Sequence, residues 1–158
     1  MTNPIRPRAV PFARVAAILL LAIVVLLTTA GTAVAQRRPR AERVRAVLRA
    51  ARNAIGTRYS YGGQSIPTGF DCSGLTRWAW SKGGHWLPHN SRQQYRALRQ
   101  HPGRRHLRPG DLLFFYRPIS HVAIYMGRGY MIEAPHPGAR VRRVHVYWQS
   151  YSGAGRPA

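Results

Sequence analysis

Phe70-Asp71-Cys72-Ser73-Gly74-Leu75 contains the only cysteine of the 158-residue chain, and contains it at the threshold of a helix. Asp71 is a residue type suited to an N-cap. Beyond it, Leu75, Trp78 and Ala79 form one apolar face, and Gly83-Gly84 stops the helix. Cys72 therefore stands at the first helical position. Free backbone N–H groups and the positive end of the helix dipole favour an anion there, and the thiolate is the reactive form of cysteine. A cysteine on the Leu75/Trp78 face would read as a small buried hydrophobe instead. With one cysteine, no disulfide can form within the chain.

Working outward, a helix precedes this segment. Val44, Val47, Leu48, Ala51 and Ile55 make an apolar stripe at helical spacing, closed by Gly56. Tyr59-Ser60-Tyr61-Gly62-Gly63 and a loop with Pro67 and Gly69 join the two helices. Ser91 caps a third helix that runs to Leu98 with Tyr95 and Leu98 inward, and His101–Arg108 is a basic loop. The period then changes. Pro109-Gly110-Asp111 is a turn, and Leu112–Tyr116 is a dense apolar strand. Val122–Met126 and Tyr130–Ala134 are strands joined by the hairpin turn Gly127-Arg128-Gly129, and Val141–Val146 is a fourth. Helices first and an antiparallel sheet of about 4–6 strands second make an α+β layout.

A nucleophilic cysteine needs a base, and the base needs an orienting partner. Of seven histidines, His85, His89, His101 and His106 lie in loops or at helix ends and read as solvated. His121 opens a strand, which holds a base more rigidly than a loop. His136 and His145 are later alternatives. Only four acids exist. Glu42 reads as solvated on the first helix, Asp71 as a cap and Asp111 as the holder of its turn. Glu133 lies across the hairpin from His121, in an apolar strand where an unpaired carboxylate would be costly to bury. The candidate set is Cys72, His121 and Glu133.

Four local words then acquire a common meaning: Tyr59-Ser60-Tyr61-Gly62-Gly63, Phe70-Asp71-Cys72-Ser73-Gly74-Leu75, Leu107-Arg108-Pro109-Gly110-Asp111-Leu112 and Ser120-His121-Val122-Ala123-Ile124-Tyr125. In this order they resemble the NlpC/P60 family of cell-wall peptidases, over about Ala51–Val146. The resemblance implies a papain-like core with the order Cys, His, acid. It implies a cysteine endopeptidase that cuts peptidoglycan stem peptides, typically between D-γ-glutamyl and diaminopimelate or lysine. By that analogy Cys72 is the nucleophile, His121 the base and Glu133 the third member, a position where other members often carry His. Tyr59 would help polarise the carbonyl, and Asp71, Ser73 and Ser120 would line the substrate cleft. No metal or cofactor is required. Leu87-Pro88-His89-Asn90-Ser91 departs from a usual Leu-Pro-Arg-Thr-Ser at His89 and Asn90. A sugar–peptide amidase on the same fold fits the same words. A non-catalytic envelope-binding protein fits less well, given Cys72, His121 and Glu133 together.

The first segment is basic (Arg6, Arg8, Arg14), then apolar for Val15–Leu27, then small residues ending Ala33-Val34-Ala35. That is the order of a secretory signal peptide, and the strictly apolar run is shorter than the roughly 20 residues of a spanning helix. Reading Val15–Ala35 as one stretch would keep it as an uncleaved anchor. The expected organisation is signal peptide 1–35, basic tether 36–40, catalytic domain 41–152 and tail 153–158, with export to the periplasm or the cell wall and exterior. The formal charge is +21, carried by 25 basic residues of which Lys82 is the only lysine. Such a surface concentrates polyanions. Export argues against nucleic acid, so the expected partners are stem peptides and anionic envelope polymers, met by a monomer.

Overall fold

The structure, a computed structural model, describes residues 39–157. The signal segment and residues 36–38 of the tether lie outside the described residues. Three helices, α1 (Arg40–Asn53), α2 (Cys72–Lys82) and α3 (Ser91–Ala97), precede the main sheet. Two short strands, β1 (Gln64–Ser65) and β2 (Gly69–Phe70), form a small antiparallel pair before α2. The main sheet comprises β3 (Leu112–Phe115), β4 (His121–Gly127), β5 (Tyr130–Glu133), β6 (Arg142–His145) and β7 (Tyr151–Gly155). Its order is β6-β5-β4-β3-β7, antiparallel at every pairing. The expected α+β class and strand number hold.

The apolar run in β3 is unbroken because both faces of that strand are covered. Side chains alternate between faces along a strand. Leu112 and Phe114 meet the helices together with Val122, Ile124 and Ile132. Leu113 and Phe115 meet a second core made with Ala123, Met131, Val146 and Ala154. The β4–β5 hairpin turns at Arg128 and Gly129, with φ of 53° and 76°. Positive φ at both central positions is the type I′ geometry that matches strand twist, so this turn fixes the register that brings the two strands together.

Several boundaries differ from expectation. α1 buries Val47, Ala50 and Ala51, but Ile55 is exposed because the helix ends at Asn53, two residues earlier. Arg40, assigned to the tether, is the first residue of that helix. α3 is capped by Asn90, whose side chain accepts from the Gln93 N–H at 3.1 Å. Asn90 has the extended backbone a cap needs, and Ser91 is already the first helical residue. The residues expected as a tail are part of the sheet: β7 pairs with β3. Just beyond β7, Arg156 makes a two-pronged ion pair with the fully buried Asp111, at 2.8 Å on each arm. The Arg108 N–H also donates to Asp111 at 2.7 Å, so Asp111 holds its turn as expected and anchors the chain's end as well.

Candidate active site

Asp71 caps α2 and does more than cap it. Its Oδ1 accepts from the Gly74 N–H at 2.6 Å and from the Ser73 hydroxyl at 3.0 Å. Its Oδ2 accepts from the Gly62 N–H at 2.9 Å, and His89 Nε2 lies 3.1 and 3.0 Å from the two oxygens. One carboxylate thus ties together the glycine turn before β1, the first turn of α2 and the segment leading to α3. Cys72 is placed by this frame. Its N–H, first in the helix, has no partner in the helical ladder and is free for an incoming oxygen. Gly74 is required for the same packing: a Cβ there would collide with the Gly63 carbonyl oxygen and crowd His89 Nε2.

His121 is the first residue of β4 and pairs opposite Phe115. The helix-facing residues of β4 are Val122 and Ile124. His121 shares the parity of Ala123, on the other face, and so reaches Cys72 at the end of the strand rather than across the helix interface. Continuing the register Ile124↔Ile132 puts Glu133 opposite Ala123 and diagonal to His121. The imidazole spans that diagonal: Nε2 and Glu133 Oε2 are 2.9 Å apart. Nδ1 is left to face Cys72, which lines the same cavity and helps raise the ring's pKa.

Glu133 is fully buried and fully used. The Tyr147 hydroxyl donates to Oε2 at 2.9 Å, and Arg142 Nε donates to Oε1 at 3.0 Å. Burial alone would raise the carboxyl's pKa, but hydrogen bonds from His121, Tyr147 and Arg142 hold it below the usual range. For His121, burial favours the neutral ring. Hydrogen bonding and charge attraction to Cys72 and Glu133 oppose this and push its pKa up to about 9. The arrangement favours a protonated imidazole between the Cys72 sulfur and a carboxylate behind it.

Tyr59 is held by backbone bonds on both sides, from its N–H to the Ala139 carbonyl at 2.8 Å and from Ser60 N–H to Phe70 at 3.0 Å. Burial, then the negative charges of Cys72 and Asp71, raise its phenol's pKa, so it remains a proton-bearing donor. Two cavities, about 410 and about 610 Å³, meet at Cys72. Tyr59, Cys72 and Ser120 line both. His121 and Glu133 line the smaller one, and Asp71 and Ser73 the larger. The structure therefore brings Cys72, His121, Glu133, Tyr59 and Ser120 together. Ser73 lines the cleft but turns its hydroxyl to Asp71, and Asp71 is consumed by the frame. His136 lies at the rim of the smaller cavity and His145 pairs opposite Tyr130, away from the site.

Sequence reading missed three residues. His89, expected to be solvated, is half-buried on Asp71. Arg142 is the cross-strand partner of Glu133 in the β5–β6 pairing, a contact that counting from a hairpin could have found had the connection been short. Tyr147 follows the last strand of that meander, and nothing local marks it.

The model of the NlpC/P60 family matches residues 56–155. The chain belongs to the NlpC/P60 family. Within it, the chain is 43% identical over 99 residues to a probable endopeptidase of Mycobacterium tuberculosis, covering 63% of this chain and 25% of that one. The chain thus spans about a quarter of that relative's length. Among solved NlpC/P60 structures, the fold is similar to the peptidoglycan hydrolase RipB of Mycobacterium tuberculosis, with a TM-score of 0.69 and 34% identity over 77% of this chain and 69% of RipB. It is similar also to the Resuscitation Promoting Factor Interacting protein RipA, with a TM-score of 0.68 and 33% identity over 77% of this chain and 66% of RipA. RipA is solved in forms mutated at a cysteine, at a histidine and at a glutamate. Those three positions stand at the same separations along RipA as Cys72, His121 and Glu133 do here. The papain-like layout implied by the sequence words is the layout of this family.

Proposed function

We propose that this NlpC/P60 protein is an exported cysteine endopeptidase that hydrolyses an amide of peptidoglycan stem peptides, between D-γ-glutamyl and the diamino acid that follows. The observation that carries the reading is the chain from half-buried Cys72 to buried His121 and Glu133, set at a cleft that runs to both sides of the sulfur. The family members named above, a probable endopeptidase and a peptidoglycan hydrolase, support the substrate class. The basic-apolar-small order of residues 1–35 supports export.

The Cys72 thiolate attacks the amide carbonyl carbon. Charge moves to the carbonyl oxygen, which the Cys72 N–H and the Tyr59 hydroxyl are positioned to receive, as preorganised donors do. The C–N bond then breaks, and His121 gives its Nδ1 proton to the departing amine. Neutral His121 next takes a proton from water as that water attacks the thioester, and the thiolate leaves the carbon to restore the ion pair. Glu133 keeps Nε2 protonated and the ring oriented throughout.

The test is mass spectrometry of muropeptides after incubation with the chain from Gln36 onward. Fragments ending in D-glutamate, with matching fragments that begin with the diamino acid, are the expected products. Release of intact stem peptide from the sugar would replace this assignment with a sugar–peptide amidase, and an unchanged muropeptide profile would overturn the hydrolase reading.

A further inference from the structure

Which side of Cys72 receives the departing half of the substrate follows from the acid. His121 must protonate the leaving amine, and His121 lines the smaller cavity but not the larger one. The leaving diamino acid therefore enters the smaller cavity, and the acyl half lies in the larger one toward Asp71.

The charged groups of the smaller cavity are unequally committed. Glu133 is the one acid among its lining residues, and both of its oxygens are taken. Oε2 accepts from His121 and Tyr147, and Oε1 from Arg142. The Arg142 guanidinium has five N–H donors. Its Nε and one terminal nitrogen each lie 3.0 Å from Oε1, and the remaining donors are unspent on a side chain that is 51% exposed at the cavity wall. His136 stands at the same rim, its Nδ1 donating to the Pro137 carbonyl at 2.9 Å. The cavity thus offers charged donors to an anion and no uncommitted carboxylate to a second cation.

We infer that Arg142 is a specificity-determining residue, which receives a free side-chain carboxylate on the leaving residue. The enzyme would then select diaminopimelate with that carboxylate free, over the same residue amidated and over lysine, which has none. This rests on the endopeptidase reading above. A guanidinium forked between Glu133 and a substrate carboxylate would use its planar donor set on both sides. An amide in the same place would give up the charge-assisted bond.

The experiment compares two synthetic stem tetrapeptides that differ only in amidation of the diaminopimelate side-chain carboxyl. Wild-type protein should show a kcat/KM at least about tenfold higher on the free acid, the loss usual where a site built for one polar group meets an analogue without it. Arg142→Gln keeps an amide donor for Glu133 and removes the charge. Any damage passed through Glu133 slows both peptides alike and leaves their ratio intact, whereas loss of the carboxylate contact collapses the ratio toward one. A parallel measurement on wild-type protein covers the case of a poorly folded variant: the free-acid leaving fragment should inhibit at least about tenfold more tightly than its amide. Equal cleavage of both peptides by wild type, or a ratio unchanged in Arg142→Gln, overturns this inference and leaves the endopeptidase reading standing. Failure of wild type to cut either peptide overturns that reading and this inference with it.

Discussion

Glu133 carries three hydrogen bonds on a buried carboxylate, and its charge acts on the His121 ring. Burial works against charge on both Glu133 and His121. Their mutual hydrogen bond, with those of Tyr147, Arg142 and Cys72, restores it. The proton on His121 should therefore persist well above the ordinary imidazole range, and the alkaline limb of kcat/KM should fall near pH 9, where the acid for the leaving amine is lost. Glu133→Gln removes one of the groups that raise His121, so that limb should move toward neutral pH while kcat drops about 10²–10⁴-fold. A limb that stays near 9 in the variant would mean Glu133 does not act on His121. The same shift bears on stability. Because the folded pKa lies above the unfolded value, the imidazolium stabilises fully below about pH 6.5, and that contribution is lost as pH rises through about 9. Cys72, His121 and Glu133 were legible in the sequence because acids are scarce and a buried strand carboxylate demands a partner. The further partners of that carboxylate were not legible, since the loop between β5 and β6 hides the register that brings Arg142 to it, and Tyr147 lies beyond any pairing at all.

Among the elements, the first turn of α2 carries the strictest constraint. The N-cap was readable from Asp71 alone. Its other duties were not, because Gly62 and His89 come to it from distant segments, and His89 looked solvated for the same reason. Gly74 shows the force of this packing. A glycine inside a helix costs about 1 kcal/mol against alanine, so Gly74→Ala would stabilise an isolated helix. Here the added methyl collides with Gly63, and overpacking of this kind costs about 1–3 kcal/mol. Gly74→Ala should lower Tm and lower kcat/KM further than the stability loss explains, since Cys72 rides on the same turn. A rise in Tm would show that the turn has slack that the structure does not suggest. The sheet was legible in four of its five strands. β7 was missed because Tyr151-Ser152-Gly153-Ala154-Gly155 has too little apolar character to read as a strand, and it is held by pairing with β3 rather than by propensity.

At the scale of the whole molecule, charge is distributed in one sense. Three of the four acids, Asp71, Asp111 and Glu133, are buried and each is paired with a basic side chain. Glu42 is the only exposed acidic side chain among the described residues. Apart from Arg40, Arg142 and Arg156, which reach Asp111 or Glu133, the surface arginines of the described residues therefore meet solvent without an acidic partner. If they hold the protein on anionic envelope polymers, co-sedimentation with purified sacculi should weaken steeply as salt rises, because exposed charges are screened within a Debye length of about 10 Å at 0.1 M. Sedimentation indifferent to salt would assign that binding to the cleft alone. The end of the domain is a whole-molecule property too. A boundary at residue 152 would cut β7 and leave Asp111 buried without Arg156, and breaking a buried pair in this way costs about 3–5 kcal/mol. That ion pair joins positions 45 residues apart, which is why no local pattern announced it.

The most direct test of the account is the rate at which purified chain from Gln36 onward cleaves one defined stem tetrapeptide, beside Cys72→Ala at matched circular dichroism. The account predicts turnover by the first and a loss of at least about 10⁴-fold in the second, the scale set by removing a nucleophile from such a constellation. Undiminished cleavage by folded Cys72→Ala would contradict it, because no other residue in the cleft is placed to form the thioester.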